Sequence, residues 1–222
     1  MENLAAPNRR TFGRRRVLGY AAALVLAVGL LSGGPAAAKS EDEAGAFLLS
    51  LTSQAIGQLT NGEVPIEERK TRFRALFREN FDIAAIGRFV LGRYGRGTPQ
   101  PVMDDFLATF EDVMVERFVP QFAGYGDTRF KVGTVRQVED KGQYIVSSAI
   151  TPPGTENEVQ IDWRVREVGG GFKVLDIVGE GVSMALTLRA EYGSVLKASG
   201  GKVEQLVVLL RDRLGAQAAA AN

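Results

Sequence analysis

The sequence contains neither cysteine nor histidine, and these two absences exclude many kinds of catalytic chemistry. Without cysteine there is no disulfide, no thiolate nucleophile and no cysteine-ligated zinc or iron–sulfur site. Without histidine the chain lacks the side chain that most often transfers protons near neutral pH. Serine–histidine–aspartate triads, histidine-ligated haem and HExxH metalloprotease sites are therefore excluded. An enzyme that relies on carboxylates and a protein that only binds a ligand are both compatible with this composition.

The first 38 residues have the pattern of an export signal. Five arginines precede an apolar run, Val17–Leu31, and small residues follow it as far as Ala38. The run has 15 residues, fewer than the roughly 20 that a membrane-spanning helix needs. We predict removal after Ala38, with a retained N-terminal anchor as the alternative. The segment Arg14–Leu18 fits a twin-arginine signal, but a basic segment also serves the general secretory route, so both routes stay open.

Removal of the signal changes the charge of the chain. The full sequence has 27 basic and 26 acidic residues, and the loss of five arginines and Glu2 leaves 22 and 25, a net charge of −3. A slightly acidic protein without a basic stripe is a poor candidate for binding nucleic acid or an anionic membrane surface.

Apolar residues spaced three and four apart predict helices in the first half of the exported chain. The first helix runs from Ser40 to about Thr60, and Pro65 opens a second one. Asp82 caps a short third helix that reaches Leu91. The longest helix is expected from about Pro99 to Phe122, bent or ended by Pro120.

Alternating apolar and polar residues then predict four strands, of which the segment 159–166 alternates most regularly. Short turns that contain glycine join the strands, as at Lys141-Gly142, and favour an antiparallel sheet. Helices over 184–199 and 203–214 follow. We therefore predict an α+β fold in which a curved four-stranded antiparallel sheet is covered by helices. Residues 39–98 form a helical N-terminal portion, 99–215 the main unit and 216–222 a disordered tail.

The longest predicted helix is rich in Phe and Met on one face, and this face has two interpretations. It is a plain core surface if it only covers the sheet, since Met often fills gaps in cores. It lines a cavity if the protein holds an apolar small molecule. Periodicity does not separate the two.

Two segments of the sequence resemble motifs of the MlaC family, also called the toluene-tolerance family. Phe81–Gly92 (FDIAAIGRFVLG) resembles the "FD…AR.VLG" motif of that family, and Asp176–Tyr192 (DIVGEGVSMALTLRAEY) resembles its "D…EGVS…..R..(F/Y)" motif. The motifs occur in the family's order, and the resemblance covers about residues 42–215.

The resemblance implies a periplasmic carrier with a nuclear-transport-factor-like fold. Nothing in the sequence demands an oligomer, so we expect a monomer. The resemblance also implies that the protein shuttles phospholipids between an outer-membrane lipoprotein complex and an inner-membrane ABC transporter with its lipid-binding subunit. Residues 99–215 would be the lipid-binding unit, with no catalytic residue, cofactor or metal. A related branch of the family is associated with hopanoid lipids, and this alternative stays open.

On this hypothesis the acyl chains occupy a cavity between the curved sheet and the long helix, because exposing them to water costs about 0.8 kcal/mol per CH₂. Arg88 and Arg189 are candidates for contact with the head group because they lie in the matched motifs, although a structural ion pair or helix-end contact explains them equally well. The expected lining residues are Phe106, Phe110, Met114, Phe118, Tyr144, Val146, Trp163, Val165, Val174 and Met184.

Two other functions predict different interiors. A carboxylate-based enzyme acting on an apolar substrate requires a buried Asp or Glu with a raised pKa inside the pocket. A structural or adaptor protein requires a filled core, without a cavity above roughly 300 Å³.

Overall fold

The computed structural model describes residues 40–138 and 142–220. The predicted export signal, residues 1–38, lies outside the described residues, as do Lys141 and the last two residues. The helices are α1 Glu41–Leu59, α2 Ile66–Asn80, α3 Ile83–Leu91, α4 Gln100–Phe118, α5 Met184–Ala198 and α6 Val203–Ala220. The strands are β1 Arg129–Gln137, β2 Gln143–Thr151, β3 Val159–Val168, β4 Gly171–Gly179 and β5 Val182–Ser183. Short 3-10 segments follow α3, at Gly92–Gly95, and α4, at Val119–Gly124.

Local capping explains where the first helices begin. Ser40 and Glu43 form a capping box, in which the Glu43 N–H donates to the Ser40 hydroxyl and the Ser40 N–H donates to the Glu43 carboxylate. Asp82 caps α3 by accepting a hydrogen bond from the Ala85 N–H at 2.9 Å. Both helices begin within a residue of the position that the sequence predicts.

Two helix ends differ from the prediction. Helix α4 ends at Phe118 and not at Phe122, and Pro120 lies in the 3-10 segment that follows. At 19 residues α4 is no longer than α1. Helix α6 continues to Ala220, through most of the predicted disordered tail 216–222. The reason is that the tail is mostly alanine, which has the highest helix propensity of all residues.

The sheet has the strand order β1-β2-β3-β4-β5, and each strand is antiparallel to its neighbours. The α+β prediction is confirmed, but the sheet has five strands instead of four. Strand β5 has only two residues, which is too short to show an alternating pattern. It pairs with β4 across a two-residue turn, Glu180-Gly181, where φ is 49° and 80°. Positive φ at both positions is the geometry of a type I′ hairpin turn.

Apolar side chains collect in two cores. One core lies among α3, α4, α5 and α6 and contains Phe106, Phe110 and Leu206. The other lies between α1 and the sheet, where Leu48 of α1 packs near Tyr144 and Val146. Phe81, at the end of α2, packs against both cores. No helix among the described residues is long and apolar enough to cross a membrane.

Helices α2 and α4 are joined by an ion-pair network centred on the buried Glu111. Arg74 Nη1 and Arg78 Nε donate to the two carboxylate oxygens of Glu111 at 2.9 and 2.8 Å. Burial, the largest single influence, favours the neutral carboxyl, but the hydrogen bonds and charges of Arg78 and Arg74 outweigh it. The pKa of Glu111 is therefore held below its ordinary value.

This network makes stability depend on pH. Because the pKa of Glu111 is lower in the folded chain, the network stabilises the fold above the ordinary value of 4.5, and that contribution is lost as the pH falls below it. We expect Glu111→Gln to lower the free energy of unfolding at pH 7 by about 1–2 kcal/mol and to flatten the acid limb of a pH–stability profile from urea denaturation.

The matched control is Glu116→Gln on the same helix, which removes a partner of Lys70 that is more exposed than Glu111. It is expected to cost less than about 1 kcal/mol. Equal losses in the two variants, or an unchanged acid limb in Glu111→Gln, would contradict the assignment.

Candidate functional site

An apolar cavity of about 330 Å³ lies between α1, α2, the Val119–Gly124 segment and the sheet. Small-molecule sites in proteins have volumes of about 300–1,000 Å³, so the filled core that an adaptor requires is not found. Helices α1 and α2 contribute Leu51, Thr52, Ala55, Ile56, Leu59, Phe73, Leu76 and Phe77 to the wall. The rest of the wall consists of Thr60, Phe81, Phe118, Gln121, Phe122, Tyr125, Thr128, Phe130, Ile150, Ile161 and Trp163.

A second, smaller cavity of about 80 Å³ adjoins the first. Four residues line both cavities, namely Phe73, Phe77, Phe81 and Phe118, and we call them the phenylalanine partition. Adjacent rings of the partition are in contact, with centroids 5.8 Å apart between Phe73 and Phe77 and 4.8 Å apart between Phe77 and Phe81.

Phe73, Phe77 and Phe81 were not among the lining residues that the sequence predicts. Their spacing of four residues puts Phe73 and Phe77 on one face of α2 and Phe81 at its end, and this pattern is typical of ordinary core positions. The signal that could have identified them is their density: three phenylalanines spaced four residues apart, two in a helix that is otherwise strongly charged and the third at its C-cap.

The predicted lining residues are divided among three places. Phe118 and Trp163 line the larger cavity. Phe110, Met114 and Met184 line the smaller one, together with Phe118. The remaining five line neither cavity, because Phe106 lies within the helical core and the other four lie in the core between α1 and the sheet. Those four are Tyr144, Val146, Val165 and Val174.

The two predicted head-group arginines lie away from both cavity walls. Arg88 is exposed on α3. Arg189, on α5, places its guanidinium 4.9 Å from the ring centroid of Phe89. Gly92 adopts a φ of +56° beside it, and a Cβ there would lie only 3.1 Å from the Arg189 Nη2. The motif that contains Arg189 therefore contributes to the packing of α5 against α3.

One acidic residue, Asp176, lines the smaller cavity. Its Oδ1 accepts hydrogen bonds from the backbone N–H groups of Ile177 and Ala185, both at 2.9 Å, and its Oδ2 accepts one from the Ser183 hydroxyl. These bonds hold the β5–α5 junction. Among the described residues no acidic or basic side chain lines the larger cavity.

Four polar residues of the wall, Thr60, Gln121, Tyr125 and Thr128, come from the end of α1 and from the segment between α4 and β1; we call this group the polar end. A Cβ built on Gly126 would lie 3.9 Å from the Thr60 Oγ1, so the end of α1 meets the loop before β1. The backbone N–H of Thr128 donates to the Tyr125 carbonyl at 3.2 Å, which closes that loop. The arrangement suits a ligand with a long apolar part and a polar group at one end.

Comparison with known proteins gives two findings. The sequence profile of the family described as MlaC protein matches residues 50–212 of the chain. A solved structure of a phospholipid-binding protein from Ralstonia solanacearum, in complex with a phospholipid, superposes with a TM-score of 0.72 at 18% sequence identity. The superposition covers 79% of this chain and 99% of that one. At this identity the structural likeness establishes the fold.

The phenylalanine partition yields a stability prediction. We expect Phe77→Ala to lower the free energy of unfolding by about 3–5 kcal/mol, because truncation of a buried ring leaves a larger void between the two cavities. Chemical denaturation measures the change. The control is Phe89→Ala, whose ring is 37% exposed against 6% for Phe77. A loss in Phe77→Ala no greater than in the control would contradict the description of the partition as buried.

Proposed function

The chain belongs to the MlaC protein family, and from this membership and the apolar cavity we propose that it is a phospholipid carrier. The observation that carries the proposal is the cavity itself, about 330 Å³ in volume and without a charged side chain on its described wall. Each CH₂ removed from water contributes about 0.8 kcal/mol of favourable transfer free energy. An apolar chain therefore binds here without any specific polar contact along its length. The polar end then receives the ester or head-group region.

The proposal also includes the location of the protein and the route of the lipid. We propose that the protein is exported to the periplasm, loses residues 1–38 and acts as a monomer between an outer-membrane lipoprotein complex and an inner-membrane ABC transporter. Family membership supports this role. The chemistry of the chain agrees with it, because transfer of a lipid breaks no covalent bond and requires neither histidine nor cysteine.

The carboxylate-based enzyme is the weaker hypothesis. It requires an ionisable acid facing the substrate, whereas the described wall of the larger cavity contains none. The carboxylate of Asp176 in the smaller cavity is engaged by two backbone N–H groups and a serine hydroxyl. An acid held in this way is a helix cap and a poor candidate for a general acid or base.

Lipid extraction tests the proposal directly. We expect the protein purified from the periplasm without detergent to carry phospholipid in near-stoichiometric amount by mass spectrometry, and the lipid-free protein to take up phospholipid from phosphatidylglycerol–phosphatidylethanolamine vesicles. A hopanoid in place of phospholipid would redirect the proposal to the other branch of the family. The absence of any bound lipid, together with no uptake from vesicles, would refute a carrier function.

A cavity-filling variant links the uptake to the cavity. Ala55 on α1 lines the cavity, and we expect Ala55→Trp to occupy its volume and reduce uptake at least about tenfold. Ala46→Trp is the matched control, because Ala46 lies on the exposed face of the same helix. Thermal unfolding verifies that both variants are folded. Uptake that is equal in the two variants would place the lipid elsewhere.

A further inference from the structure

Arg69, in α2, is a buried cation, and two of its three guanidinium nitrogens have no hydrogen-bond partner among the described residues. The residue is only 9% exposed, and neither its Nε nor its Nη1 has a hydrogen-bond partner among the described residues. The carboxylates near α2 pair with its neighbours instead, Glu116 with Lys70 and Glu68 with Arg72. A buried charge is costly unless it is paired and hydrogen-bonded. No described carboxylate therefore neutralises the guanidinium of Arg69, and an anionic ligand could do so.

Arg69 and Thr60 both lie near the connection between α1 and α2. The two helices are in contact, since Arg72 donates from α2 to the carbonyl of Gln58 on α1 at 3.3 Å. Thr60 is the C-cap of α1, two residues after Gln58, and Arg69 lies in the first turn of α2, three residues before Arg72. Thr60 belongs to the polar end.

The aromatic residues of α2 relate Arg69 to the cavity wall. Phe73, one turn after Arg69 on the same face of α2, lines the cavity and contacts Phe122, with ring centroids 6.1 Å apart. Phe122 belongs to the Val119–Gly124 segment, which continues into Tyr125. Arg69 thus lies one helical turn from a residue of the cavity wall, on the same face of α2.

A second unpaired donor lies at the polar end. The Thr128 Oγ1 is buried and has no hydrogen-bond partner among residues 40–138 and 142–220. By contrast, the hydroxyl of Thr60 donates to the Ile56 carbonyl at 2.7 Å, and the side-chain amide of Gln121 donates to the Arg117 carbonyl at 2.9 Å. Unsatisfied buried donors are rare because each costs free energy. Thr128 of the polar end and Arg69 of α2 are two such groups.

We propose that Arg69 and Thr128 bind the phosphate group of a lipid whose acyl chains occupy the larger cavity. The inference rests on the proposed carrier function and assigns the two residues that recognise the phosphodiester of the lipid and so disfavour neutral lipids. The guanidinium donates to the phosphate oxygens in the fork geometry that arginine favours, and the Thr128 hydroxyl donates a further bond. Arg69 does not line the cavity in the described structure, so this binding requires its long side chain to turn towards the polar end.

Direct titration of the lipid-free mature protein tests the proposal. The probes are dioctanoylphosphatidylglycerol and dioctanoylglycerol, which share acyl chains and differ by the phosphate-containing head group. We expect the wild type to prefer the phospholipid, and Arg69→Met to lose about tenfold in affinity for it while binding of the diglyceride is unchanged. Thr128→Val is expected to shift the preference in the same direction by a smaller factor.

Arg72→Met is the matched control, since Arg72 lies on the same helix but its guanidinium is engaged by Gln58 and Glu68. It is expected to retain the wild-type preference. Thermal unfolding of the lipid-free proteins separates a binding role from a structural one. Arg69→Met should unfold at the same or a higher temperature than the wild type, because it removes an uncompensated buried charge.

The outcomes are distinct. A wild type that binds both lipids equally, or an Arg69→Met variant that is less stable when lipid-free yet keeps the preference, overturns the inference and leaves the carrier function intact. Failure to bind either lipid removes the carrier function and the inference together. If inorganic phosphate stabilises the wild type but not Arg69→Met, while the phospholipid does not bind, the site is for a free anion and the lipid assignment is wrong. If Arg69→Met does not fold, an unchanged preference in Thr128→Val overturns the proposal.

Discussion

The junction between α2 and α3 is attached to strand β4, and both cavities depend on this attachment. The backbone N–H of Asp82 donates to the Val174 carbonyl at 3.0 Å, and the Asp82 carboxylate caps α3 and pairs with Arg166 of β3. The neighbouring Phe81 is thereby held between the two cores. Because α2 ends on the sheet at this point, its phenylalanines stand between the larger and the smaller cavity instead of packing into one continuous core.

A cavity of this kind persists because large rings occupy positions that they cannot fill completely. Protein interiors are normally close-packed, and a void forfeits contacts along its lining. The α2–α4 ion pairs, in which Arg74 and Arg78 hold Glu111, stabilise two of the helices that border the void. Of the charged residues of α2 only Arg69 is buried, and it shares a face with Phe73 and Phe77. A ligand that occupied the void would restore the missing contacts.

Local sequence signals predicted most elements, whereas contacts across the fold decided the exceptions. Ser40, Asp82 and Pro120 act within a few residues of themselves, and the helix boundaries near them were correct to within four residues. Strand β5 exists only because β4 lies opposite its two residues. The site shows the same division: Phe118 and Trp163 were expected at the wall and line it, whereas Tyr144 and Val146 were expected there and are covered by α1.

The amino-acid sequence by itself determined that the protein is not built for histidine or cysteine chemistry, that its fold is α+β and that it resembles a family of lipid carriers. These conclusions depend on composition, short-range periodicity and motifs, all of which are local. The tertiary structure decided which apolar residues surround a void and which fill a core, and it buried polar atoms of Arg69 and Thr128 without a hydrogen-bond partner among the described residues. Periodicity shows which face of a helix is apolar but not what lies opposite it, because that depends on long-range packing.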